Sequence, residues 1–259
     1  MRVMSCNIRT SAAWDEDNDW SHRRSLCCEV IGSCDPDIIC CQEAREDQWR
    51  DLQEAFADYR GFAVPEEPAN RHPMNVILFR REVFRQIGAG VFWLSETPHV
   101  PGSRSWDTAC VRLAPWLLLE DSTGQEVAVI NTHLDHVSQP AREGGARLIN
   151  EWAGGFPDAY PRILTGDMNS GPQNPVIGAF KSSGWRSASE EAPGSDSPGY
   201  TCHGFRGLDE SVTQEPWGQE IDWIFLQGGC RPESYEVVCD SREERYPSDH
   251  FFLRADIRF

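Results

Sequence analysis

The stretch 161–170, PRILTGDMNS, closes a short apolar run with a carboxylate and a carboxamide, Asp167 and Asn169. If strand geometry persists through them, alternation turns both side chains the same way. Turn chemistry is the plainer alternative, because Asp, Asn, Gly and Ser dominate turns. The same pattern recurs along the chain. Asn7 interrupts MSCNIR, Glu43 closes CCQEA, His133 lies in INTHLDH, Asp249 and His250 precede an apolar run in YPSDHF, and Asp222 opens another in EIDWIF. An ionisable group beside an apolar strand is costly unless it is paired or bound to a metal. Its repetition at strand ends points to one shared rim.

Hydrolysis of a phosphate ester uses every side-chain type in this set. Carboxylate and amide oxygens suit Mg²⁺ or Mn²⁺ rather than zinc. Such an ion neutralises phosphate charge. A further carboxylate can orient and deprotonate water. Histidine can donate to the non-bridging oxygens as charge develops, and a neighbouring carboxylate fixes its tautomer and keeps it protonated.

The elements that must position these groups follow from apolar spacing. Strands are predicted over 2–10, 38–44, 75–81, 82–95 and 161–169, and again over 220–228, 234–240 and 250–259. The segment 106–136 reads as two or three strands, with Ser122, Thr123 and Gly124 as a hairpin turn. Helices are predicted within 19–37, capped by Ser21 and ended by Asp35-Pro36, within 45–59 on a Trp49, Leu52, Phe56 face, and over 139–153. Residues 184–218, rich in Gly, Pro and Ser, read as irregular. No repeat or linker divides the chain. These elements predict one α/β domain over 1–259, with two mixed β-sheets packed face to face and helices outside.

Composition narrows the function classes. With 259 residues, 39% of them hydrophobic, the chain can bury a sizeable core. No apolar run approaches the roughly 18 residues that span a bilayer, and residues 1–10 show no apolar secretion segment. The formal charge of −17 and the single lysine, Lys181, argue against strong non-specific binding to duplex DNA. They leave room for a short phosphorylated molecule or a nucleic-acid end. The ten cysteines include adjacent pairs inside apolar runs. They read as reduced, buried thiols rather than a disulfide framework or a zinc site, which favours the cytoplasm.

MSCNIR, CCQEA, NTHLDH, TGDMNS, IDWIF and PSDHF stand in an order and approximate spacing that resembles the endonuclease/exonuclease/phosphatase superfamily, the deoxyribonuclease I-like fold. The resemblance covers essentially the whole chain, and the ordered set is far more specific than any one motif. FWLSETPHVPGSRSWDTACVRL is similar to a bacterial subgroup of the superfamily. The resemblance implies a four-layer α/β/β/α sandwich. It implies Glu43 as the main ligand of Mg²⁺ or Mn²⁺, with Asn7 beside it and Asp249 as a further metal-side carboxylate. Asp167 would position or deprotonate the attacking water, and Asn169 would help hold the phosphate or that water. His133 and His250 would stabilise the pentacovalent phosphorus, His250 being oriented by Asp222. Asn131 would brace the phosphate pocket. Arg112, His136 and Trp106, with His72 and Asn75, are candidates for the substrate side. The implied activity is metal-dependent hydrolysis of phosphate esters, with a nuclease-like phosphodiesterase as the first expectation. A phosphomonoesterase, a sphingomyelinase-like head-group hydrolase and an inactive binding protein of the same fold are the alternatives.

Overall fold

The structure, a computed structural model, describes residues 1–69, 72, 74–194 and 197–259. Along the chain the strands are β1 (Arg2–Asn7), β2 (Ile38–Ala44), β3 (Tyr59–Ala63), β4 (Met74–Arg80), β5 (Phe84–Trp93) and β6 (Leu113–Asp121). They continue as β7 (Glu126–His133), β8 (Arg162–Asp167), β9 (Arg186–Ser187), β10 (Asp222–Gln227), β11 (Arg231–Val238) and β12 (Phe252–Arg258). The helices are α1 (Trp20–Ser33), α2 (Glu46–Ala55), α3 (Gln139–Ala153), α4 (Pro175–Ser182) and the short α5 (Ala188–Glu191). One sheet has the order β11-β12-β1-β2-β4-β3 and the other β5-β6-β7-β8-β10-β9. β1 pairs parallel with β2, and β7 with β8.

The strands read as continuous apolar runs because both faces of each sheet are covered. Val3, Ile38, Cys40, Val129, Ile163 and Ile224 meet between the sheets. Their neighbours Met4, Ile39 and Cys41 turn outward under Cys27, Ile31 and Leu52 of α1 and α2. On the other side Ile130, Leu164 and Phe225 turn outward under Ile149 of α3 and Phe180 of α4. Full burial of each such side chain contributes roughly 1.5–3 kcal/mol. The four-layer α/β/β/α sandwich is therefore what strict alternation in the central strands produces.

Three local expectations are corrected. α1 begins at Trp20 with Asp19 at its N-cap, two residues ahead of Ser21. The segment 106–136 makes two strands, β6 and β7, within the two or three expected. α4 went unpredicted, although Asn174 caps it through Val176 N and Pro175 opens it. Within 184–218 lie β9, α5 and a 3-10 turn over Glu210–Gln214. Asn70, Arg71, Pro73, Ser195 and Asp196 lie outside the described residues, the last two within the segment 184–218.

Candidate active site

The parallel strands β1, β2, β7 and β8 end at one edge of the sandwich, and the antiparallel β10 and β12 begin there. Register sets the side chains beside one another. Asp167, the last residue of β8, pairs with His133 of β7 on one side and with Asp222 of β10 on the other. Gly166 is required just before it. Its φ is +153° and a Cβ there would lie 2.1 Å from the Thr132 carbonyl oxygen. Only glycine lets β7 and β8 close at this level.

Glu43 reaches the same edge by a different device. The β2–β4 register shifts between Cys41 and Ala44, and Glu43 takes a φ of +66°. This bulge re-aims the side chain. Its Oε1 accepts from Asn7 Nδ2 at 3.2 Å and its Oε2 from Thr10 N at 2.9 Å. The same Asn7 amide donates to Asp167 Oδ2 at 3.1 Å, while Asn7 Oδ1 accepts from Arg9 N. Asn7 thus holds two carboxylates together across the junction of the two sheets.

Asp167 and Asn169 do converge, but not by strand alternation. The strand stops at Asp167, and Asn169 adopts a φ of +45°. Asn169 N donates to Asp167 Oδ1 at 2.8 Å, and its Nδ2 donates to Leu134 O at 2.9 Å. A tight turn, fastened to the end of β7, brings the pair together.

Asp222 and His250 form a buried dyad. His250 Nδ1 lies 2.8 Å from Asp222 Oδ2, which also accepts from Thr201 Oγ1 at 2.6 Å. Burial works against the imidazolium of His250, yet Cys202 and the Asp222 carboxylate lift its pKa well above the ordinary value. His133 goes the other way. Burial, then the positive fields of Arg112 and His250, hold it well below the ordinary value, so it is neutral. Its Nε2 lies 3.3 Å from Asp167 Oδ2, with His250 Nε2 at 3.9 Å. Asp167 itself is pushed up to about 7, by burial first and then by the nearby Asp222 charge. That is where a general base for work near neutrality belongs. Asp249 is raised as well, chiefly by burial, and Arg9 NH1 approaches it at 3.5 Å.

These groups line a cavity of about 520 Å³. Glu43, Asp167 and Asp249 form its acidic end with His133 and His250, and Arg45, Glu66, Glu67, Arg104, Arg112 and Trp217 are among the residues of its outer wall. The acidic end suits the divalent cation that the resemblance implies. Asp167 and Asp249, buried carboxylates whose protonated forms are favoured, are the environment that a hard, oxygen-seeking ion relieves. Among the described residues Asp167, Asp222 and His250 also bring ligand atoms within 4.8 Å of one another. Asp222 and His250 are already bonded to each other, and Asp222 is not part of the cavity wall. Glu43 and Asp249 are therefore the better-placed holders, with Asp167 beside them.

A sequence model of the endonuclease/exonuclease/phosphatase family matches residues 4–250. The chain belongs to that family. Three solved structures of similar length carry the likeness further. An endonuclease/exonuclease/phosphatase from Bacteroides vulgatus is 28% identical, with a TM-score of 0.91 and coverage of 99% of this chain and 98% of that one. A functionally unknown protein from Enterococcus faecalis V583 is 31% identical, with a TM-score of 0.88 and coverage of 100% and 99%. A mannosyl-6-phosphatase of Bacteroides thetaiotaomicron VPI-5482 is 29% identical, with a TM-score of 0.89 and coverage of 100% of both chains. No curated protein matches the chain in sequence.

In this family member the strand-end residues Asn7, Glu43, His133, Asp167, Asn169, Asp222, Asp249 and His250 are brought together. The substrate-side candidates divide. Arg112 and His136 line the cavity. Asn131 does not. It is fully buried, with its Nδ2 donating to Cys41 O and Val76 O and its Oδ1 accepting from Gln42 Nε2 at 2.7 Å. It staples the two sheets behind the site, because an amide between apolar layers must spend every polar atom. Trp106 is also placed elsewhere. Its ring covers Gly144 of α3, with Arg147 at 5.9 Å. Asn75 is buried and donates to Leu113 O, and His72 meets Arg45 at the outer wall.

Arg9 and Asp135 stand outside the set that the sequence singles out. Arg9 stands two residues past Asn7 in the same motif and bridges Asp15 and Asp249. Asp135 gathers Thr108 Oγ1 and the amides of Ala109, Cys110, Val137 and Ser138, which ties the 94–112 segment to the end of β7. Burial opposes its charge, but these bonds bring its pKa down to about 2. Each of the ten cysteines is a free thiol. Among the described residues no helix is long and apolar enough to cross a membrane.

Proposed function

We propose that this chain is a divalent-metal-dependent phosphomonoesterase acting on small polar molecules, with phosphorylated sugars as the leading class. The observation that carries this reading is the cavity. At about 520 Å³ it matches one small phosphorylated molecule, and its outer wall mixes Glu66, Glu67, Arg104 and Trp217, groups suited to hydroxyls and a sugar ring face. A duplex or long strand would call for an extended cationic groove, which a net charge of −17 disfavours. The full-length likeness to a mannosyl-6-phosphatase at 29% identity points the same way.

In this reading Glu43 and Asp249 hold Mg²⁺ or Mn²⁺. The ion, when bound, neutralises phosphate charge. Asp167 takes the proton of the attacking water, held in place by Asn7 and by the Asn169 turn. His250, kept cationic by Asp222, donates to a non-bridging oxygen as charge grows there, and His133 lies beside it. Asn169 completes the cradle on the β8 side. The water oxygen bonds to phosphorus, the ester P–O bond breaks, and the departing oxygen takes a proton from solvent, so the products are inorganic phosphate and an alcohol.

The test is phosphate release from mannose 6-phosphate, glucose 6-phosphate and a short RNA, and cleavage of bis(p-nitrophenyl) phosphate, each with Mg²⁺, with Mn²⁺ and with EDTA. Chelator-sensitive release from the sugar phosphates is expected. Cleavage confined to RNA or the diester would overturn the monoester reading. Activity that survives EDTA would overturn metal dependence.

A further inference from the structure

Arg112 is a buried guanidinium with no ion-pair partner among the described residues. It lies just ahead of β6, where its carbonyl accepts from Leu94 N at 2.8 Å, and only 6% of its surface is exposed. Among the described residues no carboxylate comes within ion-pair distance of it. Its Nε is buried without a hydrogen-bond partner, and its Nη2 reaches only His136 Nδ1, at 3.5 Å. Asp135, next to His136 in the chain, is engaged by Thr108 and backbone amides. A buried cation without a counter-charge is expensive. Proteins keep such a group where a ligand supplies the missing anion.

The position tells which anion. Arg112 and His136 line the cavity from the second sheet, next to His133, while Glu43 and Asp249 line it from the first sheet. A phosphoryl group that reaches the acidic end enters the field of Arg112. A monoester carries up to two negative charges on that group and three terminal oxygens. A diester carries one charge and two such oxygens. A planar, permanently charged fork is suited to two oxygens of one phosphoryl group.

We propose that Arg112, assisted by His136, is the anion-recognition residue of this site and selects dianionic phosphomonoesters over phosphodiesters. The inference rests on the monoester reading above, but its test includes an arm independent of turnover.

Wild type, Arg112→Met and Arg112→Lys are compared in two ways. The first is kcat/KM for p-nitrophenyl phosphate against bis(p-nitrophenyl) phosphate. The second is binding of inorganic phosphate, followed by the shift it produces in thermal unfolding. The monoester kcat/KM should fall roughly 10- to 100-fold in Arg112→Met, the size expected for a charge-assisted hydrogen bond. The monoester-to-diester ratio should fall at least tenfold on that scale. Arg112→Lys should fall in between, because it keeps the charge and loses the fork. The thermal shift with phosphate should shrink in parallel. Without phosphate, Arg112→Met should unfold no earlier than wild type, since an unpaired buried charge has been removed. An unchanged ratio with an unchanged phosphate shift would overturn the proposal. So would earlier unfolding with equal loss on both esters, which is the signature of a packing role. If wild type cleaves only diesters, the monoester reading fails, and retention of the phosphate shift in Arg112→Met would then sink this inference separately.

Discussion

Asp167 and Arg104 face the same cavity and are held in unlike ways. Asp167 is flanked in register by His133 and Asp222, accepts from Asn7 and Asn169, and is almost wholly buried. Arg104 stands on a loop, half exposed, with Glu67 as an ion-pair partner at 3.4 Å. Buried hydrogen bonds to charged groups are worth about 1.5–3 kcal/mol each, whereas an exposed ion pair contributes about 0–1 kcal/mol. The strand-end half is therefore fixed before any substrate arrives. The loop-borne half can be rebuilt without disturbing it. The pairing of a rigid reactive edge with a replaceable wall explains how one fold serves different phosphoesters.

The comparison is tested hardest at Asp167. Asp167→Asn keeps the size of the side chain and removes the base, so kcat should fall about 10²- to 10⁴-fold. Metal titration and the unfolding temperature should stay close to wild type. Residual activity above a few per cent would deny Asp167 the role of base. Next in size is Glu43→Gln, which should raise the Mg²⁺ or Mn²⁺ requirement roughly 10- to 100-fold, the range found when groups that organise a metal site are removed. A metal titration that does not move would assign the ion to other residues.

The same contrast decides what the sequence could tell. Asn7, Glu43, His133, Asp167, Asp222, Asp249 and His250 were legible because polar groups at the ends of apolar strands are costly and so must have a reason to be there. Register then sets Asp167 beside His133 and Asp222, and a bulge brings Glu43 to the same edge. Asn131 carries the same signature but lies behind the cavity rather than on its wall, since an amide inside a strand can serve the junction between sheets as readily as the site. Trp106 was misplaced because an aromatic in a loop gives no period to show which surface it covers. Arg45, Glu66, Arg104 and Trp217 come from segments far apart in sequence, and only the tertiary fold brings them to one wall. The turn at Asn169 shows the limit on a finer scale. Convergence with Asp167 was read correctly, but the backbone that achieves it is left-handed rather than extended.

Between the two halves runs the segment that carries Thr201, Cys202 and Trp217, and His203 anchors it. His203 is fully buried, stacks on Phe251 at 4.1 Å, and accepts from Gly207 N at its Nδ1. Burial, with the nearby His250, lowers its pKa to about 3. In the unfolded chain the value is about 6.5. Above pH 6.5 neither state binds the proton, and the packing is intact. Below it the unfolded chain takes a proton that the fold refuses, so stability falls by about 1.4 kcal/mol per pH unit on the way towards 3. Wild type should therefore unfold at a lower temperature by about 2–4 °C for the first such unit. His203→Asn should show a flatter profile over the same range, even if it is less stable throughout. Equal slopes in the two proteins would show that other groups govern the acid limb.

The smallest effect is expected on the loop-borne wall. Arg104→Ala removes a half-exposed side chain and its ion pair with Glu67, and touches nothing at the strand ends. The loss is at most about 1 kcal/mol, equivalent to a rise in KM of about two- to fivefold for a sugar phosphate. kcat should stay within about twofold, because Asp167, His250 and Glu43 keep every contact that sets them. p-Nitrophenyl phosphate, which has no sugar hydroxyls for this wall, should show a smaller change in KM than mannose 6-phosphate. A tenfold fall in kcat would mean that the wall takes part in ordering the reactive edge, and the division between a rigid half and a replaceable half would fail.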